Sequence, residues 1–79
     1  MALEIHLAAT LRSVVPDYDA RAGLSMEVEP GTSIKEIMRI LGIDERRVKM
    51  VMVNGKAAPK EYVLAGEERV ALFPPVGGG

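Results

Sequence analysis

Few residues of this chain could perform covalent chemistry through a side chain. It contains no cysteine and one histidine, His6, which leaves no thiolate nucleophile, no zinc-ligand spacing and no histidine-based nucleophilic triad. His6 reads as a polar residue on the open or partly covered face of a strand. The carboxylates Asp17 and Asp19, Asp44 and Glu45, and Glu67 and Glu68 all fall in segments of turn character, where acids are ordinary. They read as solvated turn residues rather than as an acid and base couple. Arg46, Arg47 and Lys49 form a basic cluster that could receive an acidic partner surface or a phosphate, against the plainer reading of a solvated loop. Asn54-Gly55-Lys56 lacks the glycine-rich lead and the hydroxyl residue of a phosphate loop and reads as a turn. The five methionines read mostly as core fillers. No metal site and no permanently bound cofactor are expected.

The remaining reactive group is the main-chain carboxylate of Gly79. The ending Pro74-Pro75-Val76-Gly77-Gly78-Gly79 suits its presentation. The fixed φ of two prolines favours an extended segment that does not fold back. Glycines without Cβ can thread a narrow channel and bring a backbone carboxylate against another protein's catalytic groups. A frayed end would also be glycine-rich, but it would not need the apolar anchors Phe73 and Val76 that flank the prolines.

The preceding residues must hold that ending in place. Leu3, Ile5 and Leu7 alternate with Glu4 and His6, the period of a half-buried strand. Leu11, Val14 and Val15 suit a short helical turn before Pro16. Leu24, Met26 and Val28 alternate with Ser25, Glu27 and Glu29 up to Pro30-Gly31, predicting a second strand paired with the first. Ser33-Ile34-Lys35-Glu36 is a capping box. Ile34, Ile37, Met38 and Leu41 then form one apolar helical face, and Gly42 ends the helix with Ile43 folding back onto Met38. Met50 to Val53 reads as a strand, Asn54-Gly55 as a type I′ turn into a short strand, and Val70 to Phe73 as the last strand after the turn at Ala65-Gly66-Glu67. One amphipathic helix and five strands imply an α+β domain, a single mixed sheet wrapped around that helix. The expected division is a domain over residues 1–73 and an extended, flexible tail over residues 74–79.

Composition agrees with a single small domain. A chain of 79 residues closes one core. Its formal net charge of −1 gives no long-range pull on nucleic acid or anionic membrane, so neither is expected as a partner. No apolar run approaches the roughly 20 residues that span a bilayer, and no basic segment with a signal-like apolar stretch opens the chain. Small secreted domains are usually disulfide-rich, so a cytoplasmic location is expected.

The run Val70-Ala71-Leu72-Phe73-Pro74-Pro75-Val76-Gly77-Gly78-Gly79 resembles the ending of the small subunit of molybdopterin synthase and of the wider group of ubiquitin-like sulfur carriers that includes the thiamine-pathway carrier. Pro30-Gly31-Thr32-Ser33-Ile34 before the helix and Gly66-Glu67 before the last strand resemble the same family, so the likeness covers essentially the whole chain. The resemblance implies a β-grasp fold and a carrier rather than an enzyme. It implies that an E1-like adenylating enzyme joins the Gly79 carboxylate to AMP from ATP, and that a sulfur donor protein then converts it to a thiocarboxylate. It assigns Gly78 and Gly79 to the terminal diglycine, Gly77 to the variable residue before it, and Phe73, Pro74, Pro75 and Val76 to the segment that docks in the partner. The receiver would be a synthase large subunit or a thiazole synthase. Phe73-Pro74-Pro75 favours the molybdopterin branch, whereas Val53-Asn54-Gly55-Lys56 is closer to thiamine-type carriers. Two other readings share these residues: a protein modifier joined through Gly79 to lysines, and a binding module whose tail is incidental.

Overall fold

The computed structural model describes residues 2–75. The elements are β1 (Ala2–Leu7), a 3₁₀ helix (Ala9–Val14), β2 (Leu24–Glu27), α1 (Ile34–Leu41), a second 3₁₀ helix (Glu45–Arg47), β3 (Met50–Val53), β4 (Lys56–Ala58) and β5 (Arg69–Phe73). Apart from the second 3₁₀ helix, where the sequence predicts a turn or loop, they match the expected order. The sheet is five-stranded in the order β2-β1-β5-β3-β4. β5 runs parallel to β1 and antiparallel to β3, and β1 pairs antiparallel with β2 as expected. This mixed sheet packed on α1 is the β-grasp arrangement.

Alternation decides which face of the sheet meets the helix. Leu3, Ile5 and Leu7 of β1, Val70 and Leu72 of β5 and Val51 and Val53 of β3 are buried. They share a core with Ile34, Ile37 and Met38 of α1, as period-2 strands and a helical stripe require. Leu41 packs only partly against that core, and Ile40 faces outward.

The helix ends are built as their sequence predicts, with one difference. The Ser33 hydroxyl accepts from the Glu36 backbone N–H at 3.2 Å. The Glu36 carboxylate pairs forward with Arg39 at 3.2 Å, an alternative to the return bond of the capping box. At the other end Gly42 has φ +78°, its N–H reaches the Arg39 carbonyl and the Ile43 N–H reaches that of Met38. This is the Schellman arrangement that caps the last carbonyls. Ser33→Ala is therefore expected to cost about 1 kcal/mol, and Glu36→Ala no more than about 0.5 kcal/mol, measured by urea denaturation. Equal losses in the two variants would contradict this assignment.

β2 stops at Glu27 rather than at Glu29, because the registered partner of Glu27 is Ala2, at the start of β1. The segment after β4 does more than lead into a turn. Val63 bridges Ser33, and the Ile34 and Lys35 N–H groups donate to the Tyr62 and Lys60 carbonyls. These bonds occupy donors that the first helical turn cannot satisfy internally.

Candidate functional site

β5 positions the end of the chain. Val70 and Leu72 are fully buried, and the strand is held on both sides, with β1 matching Leu7 to Leu72 and β3 matching Met50 to Phe73. The last anchors among the described residues are the Ala8 N–H on the Leu72 carbonyl at 3.1 Å and the Lys49 N–H on the Phe73 carbonyl at 2.7 Å. Beyond them the sheet cannot continue in the same way, because Pro74 and Pro75 have no N–H to donate. Phe73 and Pro74 are half-buried and Pro75 is exposed. The central strand thus delivers Phe73, Pro74 and Pro75 to one end of the molecule. Val76, Gly77, Gly78 and Gly79, the remaining predicted site residues, lie outside the described residues.

The sheet face opposite α1 divides into two halves. Residues alternate with the buried set, which places Glu4 and His6 of β1, Arg69, Ala71 and Phe73 of β5, and Met50 and Met52 of β3 on this face. Near the tail it is apolar: Phe73 lies opposite Met50, and Ala71 opposite Met52. Met50 is 45% exposed. Of the described methionines only Met38 is buried; Met26 and Met52 are half-buried. The expectation that the methionines mostly fill the core is therefore corrected. β3 has one covered face, and Met50 and Met52 fall on the other. The MVMV alternation in β3 was the signal, but it shows only two faces and not which one lacks a cover.

The other half is polar. Glu4 Oε2 accepts from His6 Nε2 and from Arg69 Nε at 2.9 Å. These two contacts, His6 first, hold the Glu4 carboxyl below its ordinary range. His6 is thus a half-buried strand residue tied to a neighbour, as read from its alternation. Among the described residues no group of three or more metal-ligating side chains converges.

Glu68 overturns the reading of solvated turn acids. It is buried, and its carboxylate accepts from the N–H groups of Ala65 at 2.8 Å, Gly66 at 2.9 Å and Glu67 at 3.1 Å. Burial raises its pKa, but the backbone N–H groups outweigh that effect and hold the carboxyl below the ordinary glutamate value. The side chain fastens the turn that feeds β5. A depressed folded-state pKa means that the unfolded chain takes up this proton first, so the stabilisation is full above the ordinary value and disappears as pH falls through the folded one. Glu68→Gln is expected to cost about 1–3 kcal/mol at neutral pH, and the gap to the native chain should narrow at about pH 3. Urea unfolding at both pH values checks this, and a gap that widens in acid would refute it.

Asp44 accepts from the Arg46 backbone N–H at 2.9 Å and pairs with its guanidinium at 3.0 Å. The Arg46 side-chain contact, then its backbone bond, lowers the Asp44 pKa. Arg46 is therefore engaged locally, whereas Arg47 and Lys49 enter no ion pair among the described residues.

The ThiS family model matches residues 5–79, nearly the whole chain. The chain belongs to the ThiS family. It is accordingly a ubiquitin-like protein of the sulfur carrier type, a group of small carriers rather than of enzymes. A search of curated proteins finds no significant match. Among solved structures the ThiS-family chain is similar to the crystal structure of SAMP1 from Haloferax volcanii, at 24% identity and a TM-score of 0.71 over 100% of both chains. A second crystal structure, of H. volcanii small archaeal modifier protein 1, matches at 22% identity and a TM-score of 0.71 over 95% of this chain and 98% of that one. At such identities the likeness establishes the β-grasp fold. No helix among the described residues is long and apolar enough to cross a membrane.

Proposed function

We propose that this protein is a cytoplasmic sulfur carrier whose Gly79 carboxylate is adenylated and then converted to a thiocarboxylate for cofactor biosynthesis. The observation that carries the reading is the junction at Phe73: a buried central strand ends there, two prolines without N–H groups follow, and the sequence closes on Gly77-Gly78-Gly79. Membership of the ThiS family supports it. A carboxylate is a poor electrophile. In the first step one of its oxygens attacks the α-phosphate of ATP in an E1-like adenylating enzyme, and pyrophosphate leaves. In the second step the outer sulfur of a persulfide on a donor protein attacks the acyl carbon and AMP leaves; a thiol then attacks the donor-side sulfur of the acyl disulfide, forming a disulfide with the donor and releasing the thiocarboxylate. The carrier supplies the acyl group and its presentation, while the partner supplies the nucleotide and the catalytic groups.

The half-apolar face formed by Met50, Met52, Ala71 and Phe73 adjoins the root of the tail and is the surface on which we place the adenylating enzyme. Phe73-Pro74-Pro75 supports molybdopterin synthesis as the destination, with a synthase large subunit as receiver. Thiamine thiazole synthesis, suggested by Val53-Asn54-Gly55-Lys56, comes next. The test is to incubate the protein with an E1-like enzyme from the same genome, ATP and a sulfur donor, and to weigh it intact. The expected product is heavier by the difference between sulfur and oxygen. Failure with an activator that is competent on another carrier would refute the reading.

The structural likeness to a small archaeal modifier protein favours a second reading, in which the same activated Gly79 forms an isopeptide bond with lysines of other proteins. Conjugates recovered from cells and absent when Gly78 and Gly79 are deleted would establish it; a thiocarboxylate without conjugates would not.

A further inference from the structure

We infer that the surface which receives the tail is lined with carboxylates where it meets Arg12 and Lys49. This rests on the activation reading above and specifies the partner's side of it.

The argument begins with which cations are already taken. Arg46 is paired with Asp44, Arg69 with Glu4, Arg39 with Glu36 and Lys35 with Glu61, and the Lys60 ammonium donates to the Glu45 carbonyl. Among the described residues Arg12, Arg21, Arg47, Lys49 and Lys56 enter no ion pair. Four of these five lie at the end of the sheet where β1 and β5 finish and β3 begins, the end from which the tail leaves. Arg12 and Lys49 flank its root directly. The Arg12 Nε donates to the carbonyl of Leu7, the residue opposite Leu72, and the Lys49 N–H donates to the carbonyl of Phe73. Both side chains are exposed.

The acids at this end offset them only in part. Asp44 is paired with Arg46, which leaves Asp17, Asp19 and Glu45 against Arg12, Arg21, Arg47 and Lys49. At the opposite end of the sheet Glu27, Glu29 and Glu67, against Lys56 alone, are exposed and in no ion pair among the described residues. A chain with a formal net charge of −1 is thus positive around the tail and negative away from it. Such a field turns the molecule tail-first toward a negative surface, and complementary charges at a rim set approach and orientation more than the chemical step. The apolar patch at Met50 and Phe73, beside the root of the tail, supplies the contact area. The complementary surface is an apolar seat with an acidic lip on the adenylating enzyme.

The test measures ATP–pyrophosphate exchange by the E1-like enzyme as a function of carrier concentration, with wild type, the charge-reversed pair Arg12→Glu with Lys49→Glu, and the milder Arg12→Gln with Lys49→Gln. Thermal unfolding of each variant first confirms an unchanged fold. The expected result is a KM raised about tenfold by reversal, less by neutralisation, with kcat unchanged. Raising salt from about 50 to about 300 mM should raise the wild-type KM and leave that of the reversed variant level or lower. A KM within twofold of wild type for the reversed variant overturns the inference. So does a fall in kcat at constant KM, which would place the two cations on the bound nucleotide instead. Absence of exchange with wild type removes the activation reading itself, whereas normal exchange with an unchanged KM in the variants sinks this inference alone.

Discussion

Deleting Gly79, or adding one residue after it, is expected to reduce thiocarboxylate formation by at least about a hundredfold while leaving the fold intact. The physical reason is reach. One residue of extended chain moves the carboxylate by about 3.3 Å, and a misplacement of about 1 Å at a reacting centre already costs on the order of a hundredfold. The domain should be indifferent to the change, because among the described residues the last main-chain anchors are the carbonyls of Leu72 and Phe73 and the buried core ends at Leu72. Intact mass after incubation with the activator, ATP and sulfur donor reads the first effect, and thermal unfolding reads the second. Unimpaired sulfur loading of either variant would remove Gly79 as the reacting residue.

A residue at the root of the tail gives the opposite pattern. Leu72→Ala is expected to lose about 2–5 kcal/mol of stability through lost burial and the cavity left behind. Leu72 is fully buried, between β1 and β3 on the face that meets α1. A domain of 79 residues has about 4–12 kcal/mol in total, so this one change can leave a substantial unfolded fraction. Phe73→Ala, one residue on, removes a half-buried ring from the opposite face. It should cost less stability than Leu72→Ala but raise the KM for activation. Urea unfolding of both variants, together with the exchange assay, separates the two roles. A Phe73→Ala variant as unstable as Leu72→Ala would show that the ring is part of the core and not of a docking face.

These two adjacent residues show how far sequence carries. Alternation alone predicts that Val70 and Leu72 share one face and Ala71 and Phe73 the other, because the side-chain direction of a strand reverses at every residue. The capping serine, the helix stop at Gly42 and the turn at Asn54-Gly55 are legible for the same reason: each depends on the φ and ψ of a few consecutive residues. Asn54 and Gly55 both adopt positive φ, at 51° and 82°, as a type I′ turn demands. The end of the sheet bonding at Pro74 and Pro75 is legible too, since the missing N–H is covalent.

Glu68 and Met50 mark the limit. A glutamate after Ala65-Gly66-Glu67 looks solvated in a linear reading, and it becomes a buried acceptor only because the turn folds three N–H groups onto its carboxylate while β1 closes over it through the Glu4 N–H on the Glu68 carbonyl. Met50 looks like core filling, and the sheet turns it to the uncovered face beside Phe73.

The sequence by itself therefore determined the strands, the main helix and their caps and turns, because these rest on local dihedral preferences. Only the tertiary structure decided that β5 lies between β1 and β3. That pairing joins Glu4 to Arg69, places Met50 beside Phe73, and sets Arg12 and Lys49 on either side of the departing chain. Such contacts join residues far apart in sequence, and the competition among all possible strand pairings, settled by burying one common core, selects them.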